Sequence, residues 1–198
     1  VTVTDTGATA AELNALDEKT SVNVNASAVT TIESSAVADV KILIDNQTTA
    51  GLDDDYTVTL SDGTIAAADI TTVDDDTTGL VTVSATTITG AHEGITTAIS
   101  SPGTSVAGNV NATSSNSMTS AQEASMDSIT TGVITATISD GALDDLASLT
   151  NDNSNNALTV TVTDTGATAA ELNALDEKTS VNVNASAVTT IESSAVAD

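Results

Sequence analysis

Residues 1–39 read VTVTDTGATAAELNALDEKTSVNVNASAVTTIESSAVAD, and residues 160–198 repeat that string letter for letter. Val160 therefore stands where Val1 does, and the chain holds one full period, positions 1–159, followed by the opening stretch of the next, positions 160–198. A shared fold constrains the hydrophobic pattern but not each surface residue, so identity over this length means duplication. A fixed period is the signature of repeat architectures and is read before any local pattern. The chain is expected to be a window on a longer tandem array.

Weaker copies lie inside the period. TVTDTGATAAELNALDEKT (residues 2–20), TLSDGTIAAADITTVDDDT (59–77) and ATSSNSMTSAQEASMDSIT (112–130) align along their length. Asp17, Asp74 and Asp127 fall in register, as do Leu16, Val73 and Met126, and the next such aspartate is Asp176. The three steps, Asp17 to Asp74, Asp74 to Asp127 and Asp127 to Asp176, together make one full period. The organisation is therefore read as variant 1 over 1–55, variant 2 over 56–108, variant 3 over 109–157, and the next copy of variant 1 over 158–198.

Each variant divides again. VTVTD (1–5), SVNVNASAVTTI (21–32), LVTVSATTI (80–88) and VITATI (133–138) alternate with period two and are rich in Val, Ile and Thr, as strands are. TAAELNALDEK (9–19), AVADVKILID (36–45) and GALDDLASL (141–149) space aliphatics three apart and follow Thr, Ser or Asp, as short helices with N-caps do. Ala-acid-aliphatic triplets recur near Leu13, Val40, Ile70, Ile95, Leu146 and Leu172, with the degenerate slot at Glu123. Their mean spacing is about 26 to 27 residues, the size of one coil of a stacked solenoid. QTTAGLDDD (47–55), SSPGTSVAGN (100–109) and TNDNSNN (150–156) read as polar linkers. The expected fold is a repeat solenoid of parallel β-strands with short helices. The alternative is a row of tandem small β-sandwich domains.

Composition narrows the function. The formal net charge is −25, and the only cations are Lys19, Lys41 and Lys178. Nucleic-acid binding needs Lys and Arg to displace phosphate counterions and is excluded, as is attraction to an anionic membrane surface. No apolar run approaches the length of a membrane span. Cysteine is absent and aromatics reduce to Tyr56, which suits a thin core of Ala, Val, Ile and Leu. Cys-His catalysis has no nucleophile, and a Ser-His-Asp triad would have to use His92, read here as a surface residue of GAHEG (90–94). The chain is not expected to be an enzyme.

Two acidic runs, Asp53, Asp54 and Asp55, then Asp74, Asp75 and Asp76, are the candidate metal ligands. Calcium takes six to eight oxygen ligands from flexible loops. Calcium is the one cofactor such runs suggest, although neither matches the alternating Asp loop of an EF-hand or the Gly-rich nonapeptide of a β-roll. Consecutive aspartates are more often a solvated turn. Asn25, Asn46, Asn111 and Asn184 open Asn-x-Ser/Thr sequons, acceptors for glycan decoration that a chain rich in Ser and Thr also produces by chance.

ATAAELNALDEKTSVNVNASAVTTI and SDGTIAAADITTVDDDTTGLVTVSATTI together resemble the Ala-, Asp- and Thr-rich tandem repeats of giant bacterial cell-surface proteins, such as the swimming-associated surface proteins of marine cyanobacteria. The resemblance covers most of the chain and rests on composition and a loose Ala-acid-Leu motif. It implies an extracellular or cell-surface location and a structural or adhesive role. It brings no catalytic residues. The expected function is a structural polymer, a fibre, sheath or surface layer that self-associates end to end. The alternative is an adhesin stalk or calcium-stiffened spacer.

Overall fold

The computed structural model describes residues 1–150 and 155–193. The chain forms two compact units, Val1–Thr89 with Glu93–Ala107 and Gly90–His92 with Gly108–Asp198. The first holds β1 (Gly7–Ala8), α1 (Ala10–Asp17), β2 (Thr31–Ser35), α2 (Val37–Asp45), α3 (Gln47–Ala50), β3 (Thr57–Leu60), β4 (Thr64–Ala66), α4 (Ala67–Asp76), β5 (Val81–Val83), β6 (Thr87–Gly90) up to Thr89, α5 (His92–Ser100) from Glu93, and β7 (Thr104–Val106). The second holds β8 (Asn111–Ser114), α6 (Ser120–Asp127), β9 (Ile134–Thr137), α7 (Leu143–Leu146), β10 (Ala157–Thr159), β11 (Gly166–Thr168), α8 (Ala169–Asp176) and β12 (Thr190–Glu192). This is an α/β fold of parallel sheets and short helices. The β-sandwich alternative rests on antiparallel strands, whereas every pairing described below is parallel.

In the first unit one sheet runs β1-β2-β3-β5-β7 and β4 pairs with β6. In the second, β8, β9 and β10 pair in that order and β11 pairs with β12. Partners recur at nearly even separations along the chain, for example Gly7 with Thr31, Thr31 with Thr57, Val81 with Thr104 and Ala112 with Ile134. A parallel pair needs a crossover, and most of these crossovers carry one short helix. Register aligns like with like. Ile32, Val58 and Val81 form one inward row and Leu60 and Val83 another, each at most 3% exposed. Burying side chains of this size contributes roughly 1.5–3 kcal/mol each.

The helices are too short to stand alone. Five of them are anchored by a buried aliphatic residue: Leu13, Val40, Ile70, Ile95 and Leu146 are all at most 3% exposed. Three carry a reciprocal capping box, Thr9 with Glu12, Thr119 with Gln122 and Thr168 with Glu171. These hydrogen bonds, from the Thr backbone first and its hydroxyl second, hold the Glu12 and Glu171 carboxyls below their ordinary range.

Several local expectations are corrected. VTVTD forms a single bridge, Thr2 to Asn25, rather than a strand. LVTVSATTI is broken into β5 and β6 by a corner, and SVNVNASAVTTI keeps its strand only from Thr31, because Asn25 Oδ1 turns the chain by accepting from the Ser27 N–H and hydroxyl. The linker QTTAGLDDD is helical over α3 and ends at Gly51, whose φ of 58° is left-handed. SSPGTSVAGN contains β7. His92, expected on the surface, is 7% exposed, with its ring Nδ1 3.4 Å from Asn116 Oδ1. Helix α2 begins at Ala36 with no side-chain cap of its own.

Candidate functional site

The chemistry of this chain is concentrated where one strand–helix segment meets the next. The missing cap of α2 shows the device. Asp62 Oδ2, 25 residues on, accepts the Val37 N–H at 2.7 Å. Ser35 Oγ does the same for Ala10 at 3.0 Å, Asp140 Oδ2 for Ser120 at 2.7 Å and Asp164 Oδ2 for Leu143 at 2.8 Å. A carboxylate at a helix N-terminus satisfies an orphan N–H and complements the helix dipole. Here the side chain comes from the following segment, so the cap also fastens two segments together.

The aspartates in sequence register prove to be a second set of fasteners. Asp17 Oδ2 accepts from Thr49 Oγ1 at 3.0 Å, Asp74 Oδ2 from Ser101 Oγ at 2.7 Å, and Asp127 Oδ1 from Asn156 Nδ2 at 3.4 Å. A third set is made by buried threonines. Thr77 Oγ1 donates to Tyr56 O, Thr130 Oγ1 to Val110 O, and Thr179 Oγ1 to Leu158 O at 2.8 Å. The turns after Thr77 and Thr130 are tight. A Cβ on Gly79 would lie 2.1 Å from Tyr56 O, and one on Gly132 2.2 Å from Val110 O.

The two acidic runs are neighbours. Thr78 N–H donates to Asp54 O at 2.7 Å, and Tyr56 OH donates to Asp76 Oδ2 at 2.6 Å. Asp53, Asp54 and Asp55 are exposed, Asp75 is exposed, and Asp74 and Asp76 are half-buried. Asp74 and Asp76 each accept a hydroxyl hydrogen bond, from Ser101 and from Tyr56. Burial first, then the Asp76 hydrogen bond and charge, push the Tyr56 phenol far above its ordinary value. Among the described residues no three His, Asp or Glu side chains converge to hold a metal ion. Of the sequon residues, Asn25 and Asn184 face solvent, while Asn111 Oδ1 is engaged by Val133 N–H at 2.9 Å.

One node went unread in the sequence. Glu123 fills the core slot of α6 and is fully buried, as is Asn156 from the supposed linker TNDNSNN, of which residues 151–154 lie outside the described residues. Asn156 Nδ2 donates to Glu123 Oε1 at 3.0 Å, and Thr150 N–H donates to Glu123 Oε2 at 3.1 Å. The signal was the glutamate itself, standing where other segments carry an aliphatic residue.

Helix α7 has four residues, and the shortfall leaves an open cavity of about 310 Å³ against α8, lined by Leu143, Leu146, Leu175 and Lys178 among others. Lys178 Nζ donates to Ala147 O at 2.9 Å and to Leu149 O, closing the end of α7.

The exact repeat provides an internal comparison. Both copies keep the same internal register: Thr2 with Asn25 and Thr161 with Asn184, Ala8 with Ile32 and Ala167 with Ile191. Their burial is opposite. Val1 is 60% exposed and Val160 0%, whereas Ile32 is 0% exposed and Ile191 62%. Ala10 and Leu13 are buried, while Ala169 is exposed and Leu172 half-buried. Residues 1–36 are covered on the side of α2 and β3, and the described residues 160–193 on the side of α7 and β10. Among the described residues no helix is long and apolar enough to cross a membrane. No protein-family model, curated protein or solved structure matches this chain.

Proposed function

We propose that this chain is an extracellular structural repeat protein, a parallel β-solenoid with coils of about 26 to 27 residues that forms or extends a fibre, sheath or surface layer. The observation that carries the reading is the inverted burial of the exact repeat. One and the same sequence buries Ile32 in one copy and Val160 in the other, so the same coil is built to be covered on both faces. A sequence with two coverable faces has no natural terminus and suits an array in which each coil contacts only its neighbours. The helix starts agree, since Ala10, Val37, Ala67, His92, Ser120, Leu143 and Ala169 divide one full period into six steps.

End-to-end association follows the same physics. Among the described residues β1 and β12 each stand at the edge of their own sheet, and edges of this kind accept another strand. A head-to-tail contact uses two different surfaces and extends without closing. The −25 charge opposes it at low ionic strength, and salt screens that repulsion. Electron microscopy of the chain at rising concentration and salt is the test. Filaments of constant width support the reading. A sedimentation profile that stays monomeric at all concentrations and salts overturns it.

The second reading, a calcium-stiffened stalk that carries an adhesive tip elsewhere, draws on the adjacency of Asp53, Asp54 and Asp55 to Asp74, Asp75 and Asp76. Calorimetric titration with calcium decides it, since a saturable site lost in D54N/D76N favours the stalk.

A further inference from the structure

We propose that Glu123 and Asn156 are a register key, a buried carboxylate–amide pair that makes the α6 segment stack on its proper neighbour and on no other. The proposal rests on the stacked-coil reading above. In α1, α2, α4, α5 and α7 the slot that faces the core holds Leu13, Val40, Ile70, Ile95 and Leu146. In α6 it holds Glu123, with no exposed surface. A carboxylate taken out of water is stabilised only where donors replace the solvent, and an aliphatic residue in the same slot would carry no such requirement. The pair is therefore not the most stable way to build this core. Its attested use elsewhere is specificity, as when one buried polar residue fixes the register of a coiled coil at some cost in stability.

The partner is particular. Asn156 is itself fully buried and uses its whole amide. Nδ2 donates to Glu123 Oε1 at 3.0 Å and reaches Asp127 Oδ1 at 3.4 Å, while Oδ1 accepts the Ile134 N–H at 2.7 Å. An amide offers two donors and an acceptor, which is what this position requires. Two equivalent turns do not offer it. The carbonyl of Asn156 accepts the Ser180 N–H at 2.8 Å, just as Gly108 O accepts Thr131 N–H at 2.8 Å and Asp54 O accepts Thr78 N–H at 2.7 Å. These three residues hold the same place in different turns of the chain. A slipped or exchanged segment would therefore set Glu123 against a glycine, which has no side chain, or against a second carboxylate. In an array whose segments are near copies, and in one case identical from end to end of the repeated string, pairing with a wrong copy is the characteristic failure.

The test uses the full chain with a reporter of register. Thr135 and Ala157 are partners across β9 and β10. In the Thr135→Cys/Ala157→Cys background, refolding from urea followed by mild oxidation should give a monomeric disulfide in high yield. Adding Glu123→Leu should lower the yield of that disulfide several-fold, with cross-linked oligomers in its place. Adding Asn156→Ala alone should lower the midpoint sharply, and Glu123→Leu with Asn156→Ala should restore it. If Glu123→Leu refolds with the same disulfide yield and oligomer content as its background, or if Asn156→Ala leaves the midpoint unchanged, the key is overturned. Failure of the background pair itself to cross-link would instead count against the parallel stack, and the absence of filaments would leave this assay unaffected.

Discussion

Ile32 and Ile191 are the same residue in the same local sequence, and the structure gives them opposite surroundings. Ile32 has no exposed surface and packs between β1 and β3, where Ala8 and Val58 are its register partners. Ile191 is 62% exposed on the edge strand β12. Ile32→Ala removes a buried side chain and leaves a cavity, so it should cost about 2–5 kcal/mol. Ile191→Ala removes mostly solvated surface and should stay within about 0.5 kcal/mol. Strand propensity and denatured-state effects, which blur most such comparisons, are nearly equal for the two sites because the flanking sequence is shared. Urea unfolding followed by far-ultraviolet circular dichroism, with the slope checked for constancy, measures the difference. The reciprocal pair provides the control: Val160→Ala should cost roughly 2 kcal/mol and Val1→Ala almost nothing, reversing the order of the two copies. Equal costs for Ile32→Ala and Ile191→Ala, at a dilution where the chain is monomeric, would refute the inverted burial and with it the main support for a two-faced coil.

Three further outcomes follow from the same contacts. Tyr56 has a folded-state pKa raised above the ordinary 10, so its contribution is complete below that pH and is lost as pH rises toward the folded value. Its phenolate absorbance, free of other aromatics in this chain, should appear only together with unfolding, and titration near 10 in the folded protein would contradict its burial. Glu12 and Glu171 have lowered folded-state pKa values, so their capping boxes are complete above the ordinary carboxylate range and weaken as pH falls through the folded value. E12Q/E171Q should keep the boxes, as Gln122 does in α6, and lose that acid dependence relative to the unaltered chain. Gly79→Ala forces a methyl toward Tyr56 O and should destabilise by roughly 1–3 kcal/mol, while Gly63→Ala, with open space around it, should be close to neutral in the same denaturation assay.

Much of the architecture was legible in the sequence. The triplets near Leu13, Val40, Ile70, Ile95 and Leu146 all mark core-facing helix slots, because an amphipathic helix declares its buried side through spacing alone. The strands were found but drawn too long. Alternation continues through a corner such as residues 84–86 while the backbone has already turned away from the ladder. The fasteners were invisible, although their residues were plain. Asp17, Asp74 and Asp127 aligned in the sequence, yet their partners Thr49, Ser101 and Asn156 lie 27 to 32 residues away in stretches that looked like linkers.

The sequence by itself determined the long period, the segment length, the inward aliphatic rows and the acidic exterior, since these depend on residue type and spacing along the chain. Only the tertiary structure decided which face of each copy of the repeated string is covered, which aspartate caps which helix, and that Glu123 is enclosed with Asn156. Residues 1–39 and 160–198 make the distinction plain: two identical strings cannot encode different burial, so the difference between Ile32 and Ile191 resides wholly in the neighbours that the rest of the chain brings against them.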